Sequence, residues 1–539
     1  MTSHPSSQAD GSWLAKGGPE MGYLLAHDAG TGGNKAVLVD TSGHVCATAF
    51  APYPTHQPRP DWAEQAPEDW WNAVASTTRQ VMEQARATPR DILAIAHTTQ
   101  LLGIVPMGGD GQPLRPAIIW LDARAPEQAE RIMRRFLGRR AFAAVAGAEL
   151  SGKDGLAKLL WLKENEPSIY EKMACFLDVN GYLTYRATGV QAMEWSCASA
   201  IGFDLKKKDW LRAIIRYIGL DQNKFPPLVR SLDAVGGLTA QAARDCGLLQ
   251  GTPVFGGGGD AMGAAVGSGA VGEGEGHIYL GTSGWVGVVT RRNPTGRYGV
   301  VATQSADPEK ALLFAEMETA GACLKWVAEQ FYRSERADPN VPNVYALMDE
   351  LVERVPPGAD CLICTPWIFG ERAPIADTWV RATLFNLSAD HTREHLLRAV
   401  YEGVAFNLRW IIEVVEGRFG FPLPVLRAIG GGARGAPWLQ IIADVTGRRV
   451  EAVAHPMEAG AVGMALTAAV GLGLYPSIES LKQVVQVERA FEPRPAHAAT
   501  YERLYRAYRK LYGCLRRLYR EVNQERFRSR QPAAGEAVG

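Results

Sequence analysis

The sequence predicts an α/β protein built of two similar halves, and three observations carry the prediction. Short Val- and Leu-rich runs alternate with stretches of helical period, which calls for sheets layered with helices. A strand, a glycine turn and a second strand follow one another in LAHDAGTGGNKAVLVD (25–40), and again half a chain later in HIYLGTSGWVGVVT (277–290). The 539 residues are also too many for one core, since a domain holds about 100–200.

The first unit starts with the apolar run Gly22-Tyr23-Leu24-Leu25-Ala26, which reads as a buried strand. After the glycines, Lys35-Ala36-Val37-Leu38-Val39 is a second strand, stopped by the turn cluster Asp40-Thr41-Ser42-Gly43. A Gly-rich loop that opens a helix is therefore excluded. Gly30, Gly32 and Gly33 free backbone amides to turn inward as an anion nest. Asp28, at the mouth of the first strand, is placed to hold a magnesium ion through water. The alternative is an ordinary hairpin with a glycine turn.

In VFGGGGDAMGAAVGSGAVG a strand ends at Val254-Phe255, four glycines follow, and Asp260 opens a small-residue helix over 261–269. A carboxylate there admits close approach by a substrate; the alternative is a helix cap. In AIGGGARGAPWLQIIADVTGRRVEAV, Gly430-Gly431-Gly432 end an apolar strand, and Leu439, Ile442 and Val445 mark a following helix. So bare a loop lets a flat purine lie on the backbone, and close packing of helix on sheet also explains it. From Thr392 to about Glu416, Leu396, Val400, Val404, Leu408, Ile412 and Val415 recur as one buried helical stripe.

Composition narrows the partners. Hydrophobic residues make up 47% and charged residues 21%, and 57 Lys+Arg balance 57 Asp+Glu. No net field favours nucleic acid or an anionic membrane, and no run reaches the roughly 18 apolar residues of a membrane helix. The eight cysteines are scattered; Cys361 and Cys364 stand close in CLICTPW without a second ligand pair, so neither metal nor redox use is expected there. A reduced, cytoplasmic setting is expected. Residues 1–21 lack a basic start and an apolar stretch, so they read as a disordered tail and not a signal peptide. Met21, one residue before the first strand, reads as an alternative start. At the other end RRLYREVNQERFRSRQPAAGEAVG is a basic helix running into a tail (519–539), with a solvated face preferred over nucleic-acid binding. The domains expected are 22–270 and 271–518.

Together these segments resemble the FGGY carbohydrate kinases, in the branch near xylulose kinases, from about Tyr23 to about Leu518. HDAGTGGNKAVLVD is similar to the family's first phosphate motif and GTSG (281–284) to its second. GGGGDAMGAAVGSG resembles the segment with the catalytic aspartate, and GGGARGAPWLQIIADVTGRRV the adenosine motif. DWAEQAPEDWW (61–71), PLRPAIIWLDARA (113–125) and FGERAPIADTWVRATLFNLSADHTREHLLRAVYEGVAF (369–406) are further landmarks. The resemblance implies two ribonuclease-H-like domains, as in actin-like ATPases, flanking a nucleotide and sugar cleft that closes on binding. It implies ATP and Mg2+, with a small sugar or polyol as acceptor and a homodimer as a family-level expectation.

The roles it implies are specific. Gly30, Thr31, Gly32, Gly281, Thr282 and Gly284 hold the β- and γ-phosphates, and Lys35 reaches them unless it points to solvent. Gly432 and Ala433 line the nucleotide, Asp28 binds magnesium through water, and Asp260 takes the proton of the attacking hydroxyl. Two rival readings are an actin- or chaperone-like ATPase and a relative that has lost its chemistry. The first needs no acid at Asp260 and no PAIIWLDARA segment; the second predicts loss of Asp28, Asp260 or a Gly-Thr turn, and all remain.

The acceptor pocket departs from the branch. TTQLLGIVPM (98–107) corresponds to the segment where xylulose kinases carry a Met-His pair and glycerol kinases an Arg-Glu pair. Here those positions are Leu101 and Leu102, which form no hydrogen bond to a hydroxyl. The expected acceptor is therefore another ketopentose, or a deoxy or less hydroxylated polyol, with Trp120 as an apolar wall and Gln100 and Asp260 as polar contacts. The alternative is that Lys153 and Asp154 in LSGKDG replace the missing contacts and D-xylulose stays the substrate.

Overall fold

In the computed structural model of the protein, which describes residues 22–136, 138–139, 142, 149–292 and 298–528, the two predicted hairpins lie at the centres of two separate sheets. The expectations for residues 1–21 and for the tail beyond 528 fall outside the described residues. In the first sheet, β1 (Tyr23–Ala29) pairs antiparallel with β2 (Gly33–Asp40), and β2 with β3 (Val45–Pro52). On its other side β1 runs parallel to β4 (Ile92–Thr99). Beyond β4 lie β6 (Pro253–Phe255) and then β5 (Ala234–Gly237), while the short β7 (Gly258–Gly259) runs along the end of β4.

A parallel pair needs a crossover, and α1 (Pro67–Ala85) supplies it. Trp70, Trp71, Val74 and Val81 of α1 pack against Leu25, Ala36 and Leu38 of the hairpin. Between β4 and β5 the chain builds a further layer with its own core, which includes α2 (Gly155–Asn165) and α3 (Trp195–Ser199).

The second sheet repeats the plan. β8 (Gly276–Leu280) and β9 (Gly284–Thr290) form the hairpin, flanked by β10 (Val300–Gln304) and β11 (Ala311–Met317) on one side. On the other side stand β12 (Val425–Ile429), β13 (Arg449–Val453) and β14 (Val487–Phe491). The order is β10-β11-β9-β8-β12-β13-β14. Thus β11-β9-β8-β12 has the same pairing senses as β3-β2-β1-β4, antiparallel, antiparallel and then parallel.

Two helices fill the space between the sheets. α4 (Asp260–Ser268) starts at the end of β7, and α7 (Ala459–Gly471) comes from the far end of the chain. Met464 and Ala465 of α7 pack on Leu24 and Ala26 of the first sheet, whereas Ala264 of α4 and Ala459 of α7 meet Trp285 and Ile429 of the second. Their small residues have a physical reason: a Cβ on Gly463 would stand 2.1 Å from Gly263 O, and one on Gly267 1.7 Å from Ala459 O. Backbones this close leave no room for any side chain.

The stripe predicted over 392–416 is α5 (Arg393–Val414) with a following π-helical turn. Val400, Val404, Leu408, Ile412 and Val415 are buried, and Leu396 is half-buried against the same core. α6 (Ala436–Thr446) packs on β13 and β14 of the second sheet, and the long α8 (Pro495–Arg528) packs on α6 and on Phe406 and Trp410 of α5. Among the described residues no helix is long and apolar enough to cross a membrane.

Candidate active site

The two glycine turns are closed differently. In the first, Gly30 N donates to Gly33 O at 3.1 Å, and the turn is held from outside: Tyr53 donates its hydroxyl to Gly30 O, and Gln65 Nε2 donates to Thr31 O at 2.8 Å. Trp120 donates its indole N–H to Thr31 Oγ1 at 2.7 Å, so the predicted apolar wall of the acceptor pocket also fixes the first turn. In the second, Gly281 N donates to Ser283 O at 3.0 Å, and the Gly281 and Thr282 carbonyls accept from the chain beyond β11. Gly321 N donates to Gly281 O at 2.8 Å, and Ala320 N and Ala322 N donate to Thr282 O at 3.0 and 3.1 Å.

Asp28 and Lys35 are directly opposed across β1 and β2. Lys35 does not point to solvent. Its Nζ donates to Met457 O and stands 3.9 Å from a carboxylate oxygen of Glu458, at the start of α7. The Asp28 carboxylate also faces that helix end, since a Cβ on Gly460 would meet its Oδ2 at 3.4 Å. The positive end of the helix dipole favours an anion there. Burial nevertheless raises the Asp28 pKa, with Lys35 opposing the shift.

Asp260 is the first residue of α4, with Gly259 as N-cap and no side-chain cap bond. Its Oδ1 accepts from Ala261 N, the N2 amide, at 2.8 Å, so one carboxylate oxygen serves the first turn of α4, as the cap alternative expects. Burial pushes its pKa up to about 7, and the charges of Asp28 and Glu316 add to the shift. Carboxylates that raise one another this way cluster where a reaction needs a base near neutral pH.

Glu316, on β11, and Glu318 just beyond it both pair with Arg372. The Arg372 guanidinium lies 5.9 Å from the centre of the Trp120 ring, and Lys153 Nζ lies 5.7 Å from it. The sequence reading missed Glu316, Glu318 and Arg372. A signal was present: Glu316 interrupts the apolar run ALLFAEM, and Arg372 lies inside the landmark FGERAP.

Leu102 adopts φ of +62° at the bend after β4, and Leu101 packs against Gly259, next to Asp260. The bend is tied down by Lys158 of α2, fully buried, whose Nζ donates to Leu102 O at 3.1 Å and Ile119 O at 2.8 Å. Burial pulls its pKa down to about 7. Gln100 is buried; its Nε2 is engaged by Gln65 Oε1 at 2.8 Å, and its Oε1 has no partner among the described residues. Asp154 is held in its own turn, accepting from Ser151 N at 2.6 Å and Ser151 Oγ at 2.7 Å. Lys153 has no ion pair among the described residues and stays directed at Trp120.

At the third glycine cluster Gly432 meets the Trp438 ring and Leu280, and Ala433 is buried, whereas a Cβ on Gly431 would touch nothing within 4 Å. Packing of helix on sheet thus accounts for Gly432, and the surface left bare for a flat ligand is the backbone at Gly431. Among the described residues no group of three His, Cys, Asp or Glu forms a metal site.

Two antiparallel hairpins face each other across α4 and α7, with a raised-pKa aspartate between them, and the comparisons with known proteins match this plan. The N-terminal domain of the FGGY family of carbohydrate kinases matches residues 23–267, and the C-terminal domain of that family matches residues 276–472. A xylulose kinase of Bacillus subtilis (strain 168) is 32% identical over 495 residues, 91% of this chain and 97% of that protein. A gluconokinase of the same organism is 25% identical over 503 residues, 93% and 97% of the two chains. The crystal structure of xylulose kinase from Rhodospirillum rubrum superposes with a TM-score of 0.82 at 28% identity, covering 92% of this chain and 99% of that one. Plasmodium falciparum glycerol kinase with ADP, at 20% identity and a TM-score of 0.80, shares the fold. With both domains matched along nearly the whole chain, the chaperone-like alternative is set aside: the chain belongs to the FGGY family of carbohydrate kinases, phosphotransferases that use an alcohol group as acceptor.

Proposed function

We propose that this sugar kinase transfers the γ-phosphoryl group of ATP to a hydroxyl of a small ketose or polyol, with Asp260 as general base. The observation that carries the reading is the Asp260 carboxylate, placed between the two glycine hairpins and held near neutral pKa by burial, Asp28 and Glu316. Phosphoryl transfer asks for in-line positioning and charge neutralisation more than for covalent chemistry. The turn amides within Gly30–Gly33 and Gly281–Gly284, apart from Gly30 N and Gly281 N that close the turns, hold the β- and γ-phosphates with the Thr31 and Thr282 hydroxyls. The bare backbone at Gly431 receives the purine. Asp28 fits a magnesium ion bound through water, because this hard cation keeps most of its waters and needs only one or two carboxylates besides the phosphates. Asp260 takes the hydroxyl proton as the oxygen attacks, and closure of the two sheets keeps water from the γ-phosphate.

For the acceptor, Leu101 and Leu102 form a wall that donates and accepts nothing, and the Trp120 face continues it. Lys153, over the Trp120 ring, supplies donors. A pocket that hydrogen-bonds a hydroxyl rejects an analogue lacking it by about 10⁴–10⁵-fold, whereas an apolar wall discriminates weakly. The proposed acceptor is thus a ketopentose other than D-xylulose, or a less hydroxylated polyol. An ADP-release screen over pentuloses, tetruloses, hexuloses, polyols and aldonates tests this. The highest kcat/KM on an acceptor other than D-xylulose supports it; D-xylulose as the best acceptor refutes the reading of the leucines.

A further inference from the structure

Ser196, in the short α3, joins three parts of the molecule through its hydroxyl and its backbone carbonyl. Ser196 Oγ donates to Glu194 Oε2 and accepts from Gly259 N at 2.9 Å, the amide just before Asp260. Its backbone carbonyl accepts from Thr303 Oγ1, on β10 of the second sheet, at 3.2 Å. Ser196, Glu194 and Thr303 are all buried. One residue further along the same contact, Gln304 N donates to Ser199 Oγ at 3.2 Å, and Lys208 Nζ donates to Gln304 Oε1 at 2.6 Å.

The surroundings make Ser196 a fixed point. Glu194 Oε2 also accepts from Ser196 N at 2.7 Å and from Cys197 N at 3.3 Å, so backbone and hydroxyl of one residue are clamped by one carboxylate. Met262 and Leu101 fill the space beside Gly258 and Gly259, which also pair with Thr98 and Thr99 of β4. On the other side, β10 is the edge strand of the second sheet and pairs with β11, the strand that carries Glu316. A continuous path therefore runs from Glu316 through β11, β10 and Thr303 to Ser196, and from Ser196 Oγ to Gly259 and Asp260.

We propose that Ser196 is a positioning residue that couples the approach of the second sheet to the placement of Asp260. Movement of β10 toward the first half pushes on α3 through Thr303 and Gln304. α3 then sets Gly259, and with it the direction of the Asp260 carboxylate. The inference rests on the reading of Asp260 as the base. It adds that the base is in place only when the two sheets have closed.

Steady-state kinetics on the full chain tests it, with the best acceptor from the screen. Ser196→Ala is expected to lower kcat by about 10²-fold, the scale of a small misplacement of a reacting group, with KM for ATP within about twofold of wild type. Thr303→Val, far from Asp260 in contact but on the same path, is expected to lower kcat by about tenfold, and Thr303→Ser, which keeps the hydroxyl, to restore it. Because both act through one link, the double variant Ser196→Ala/Thr303→Val should be no slower than Ser196→Ala alone. A kcat for Ser196→Ala close to wild type overturns the proposal, and so do multiplying effects in the double variant. If Ser196→Ala does not fold, the Thr303→Val and Thr303→Ser pair decides alone: equal kcat values refute the link. Asp260→Asn separates the two readings, since an inactive Asp260→Asn beside a fully active Ser196→Ala discards only the coupling.

Discussion

Asp28 and Lys35 are register partners across β1 and β2, and the lysine reaches over the cleft to Met457 O while the carboxylate faces the start of α7 beside Gly460. One hairpin thus presents an anion and a cation to the same helix end. The lysine bridges first sheet and α7 at the edge of the site, where a triphosphate would bring further negative charge.

Lys35→Met removes that bridge. A hydrogen bond from a charged group is worth about 1.5–3 kcal/mol, and the partly exposed pair with Glu458 adds less than about 1 kcal/mol. KM for ATP is expected to rise roughly tenfold with KM for the acceptor unchanged. A Lys35→Met enzyme with wild-type KM for ATP would confine Lys35 to a structural tie.

The pH profile follows from Asp260. Its pKa is raised from the ordinary 3.8 to about 7, first by burial, then by Asp28 and Glu316. A base acts deprotonated, so kcat/KM of the free enzyme falls about tenfold per unit below pH 7 and levels off above it. Glu316→Gln takes away one of the negative charges and should move this limb to lower pH. A limb already near pH 4 in wild type would mean that Asp260 is not held by its neighbours as described.

How far the site was legible depends on what carries each residue. The two hairpins could be read because glycine turns between Val-rich runs leave few other structures, and α4 because small residues follow Asp260 without a break. Glu316 and Arg372 left a mark, an acid in an apolar run and an arginine in FGERAP, but their pairing was not legible, since they come from β11 and from the loop near 372 and meet only once the second sheet has formed. Gly432 was read as a nucleotide contact, yet the Trp438 ring and Leu280 against it are visible only when α6 packs on β8. Lys35 has the same lesson: its partner at Met457 is more than four hundred residues away.

In the proposed acceptor pocket Lys153 would be a contact and Lys158 a support. Lys153→Met should raise KM for the acceptor, leaving KM for ATP near wild type, because its ammonium faces Trp120 without an ion pair among the described residues. Lys158→Met strips the donor from two carbonyls, Leu102 O and Ile119 O, which costs about 1–3 kcal/mol for each one left unsatisfied. It should lower the melting temperature as well as raise KM for the acceptor. Equal melting temperatures of Lys158→Met and wild type would remove Lys158 as the tie of the Leu101–Leu102 bend.

The most direct test of the account is the turnover of Asp260→Asn with ATP and the best acceptor, measured beside nucleotide affinity. The side chain stays the same size and keeps an oxygen for Ala261 N, while the base is gone. The account predicts a fall in kcat of roughly 10²–10⁴-fold, the usual scale for a positioned general base, with ATP affinity nearly intact. Wild-type turnover by Asp260→Asn would contradict it and take the aspartate out of the reaction.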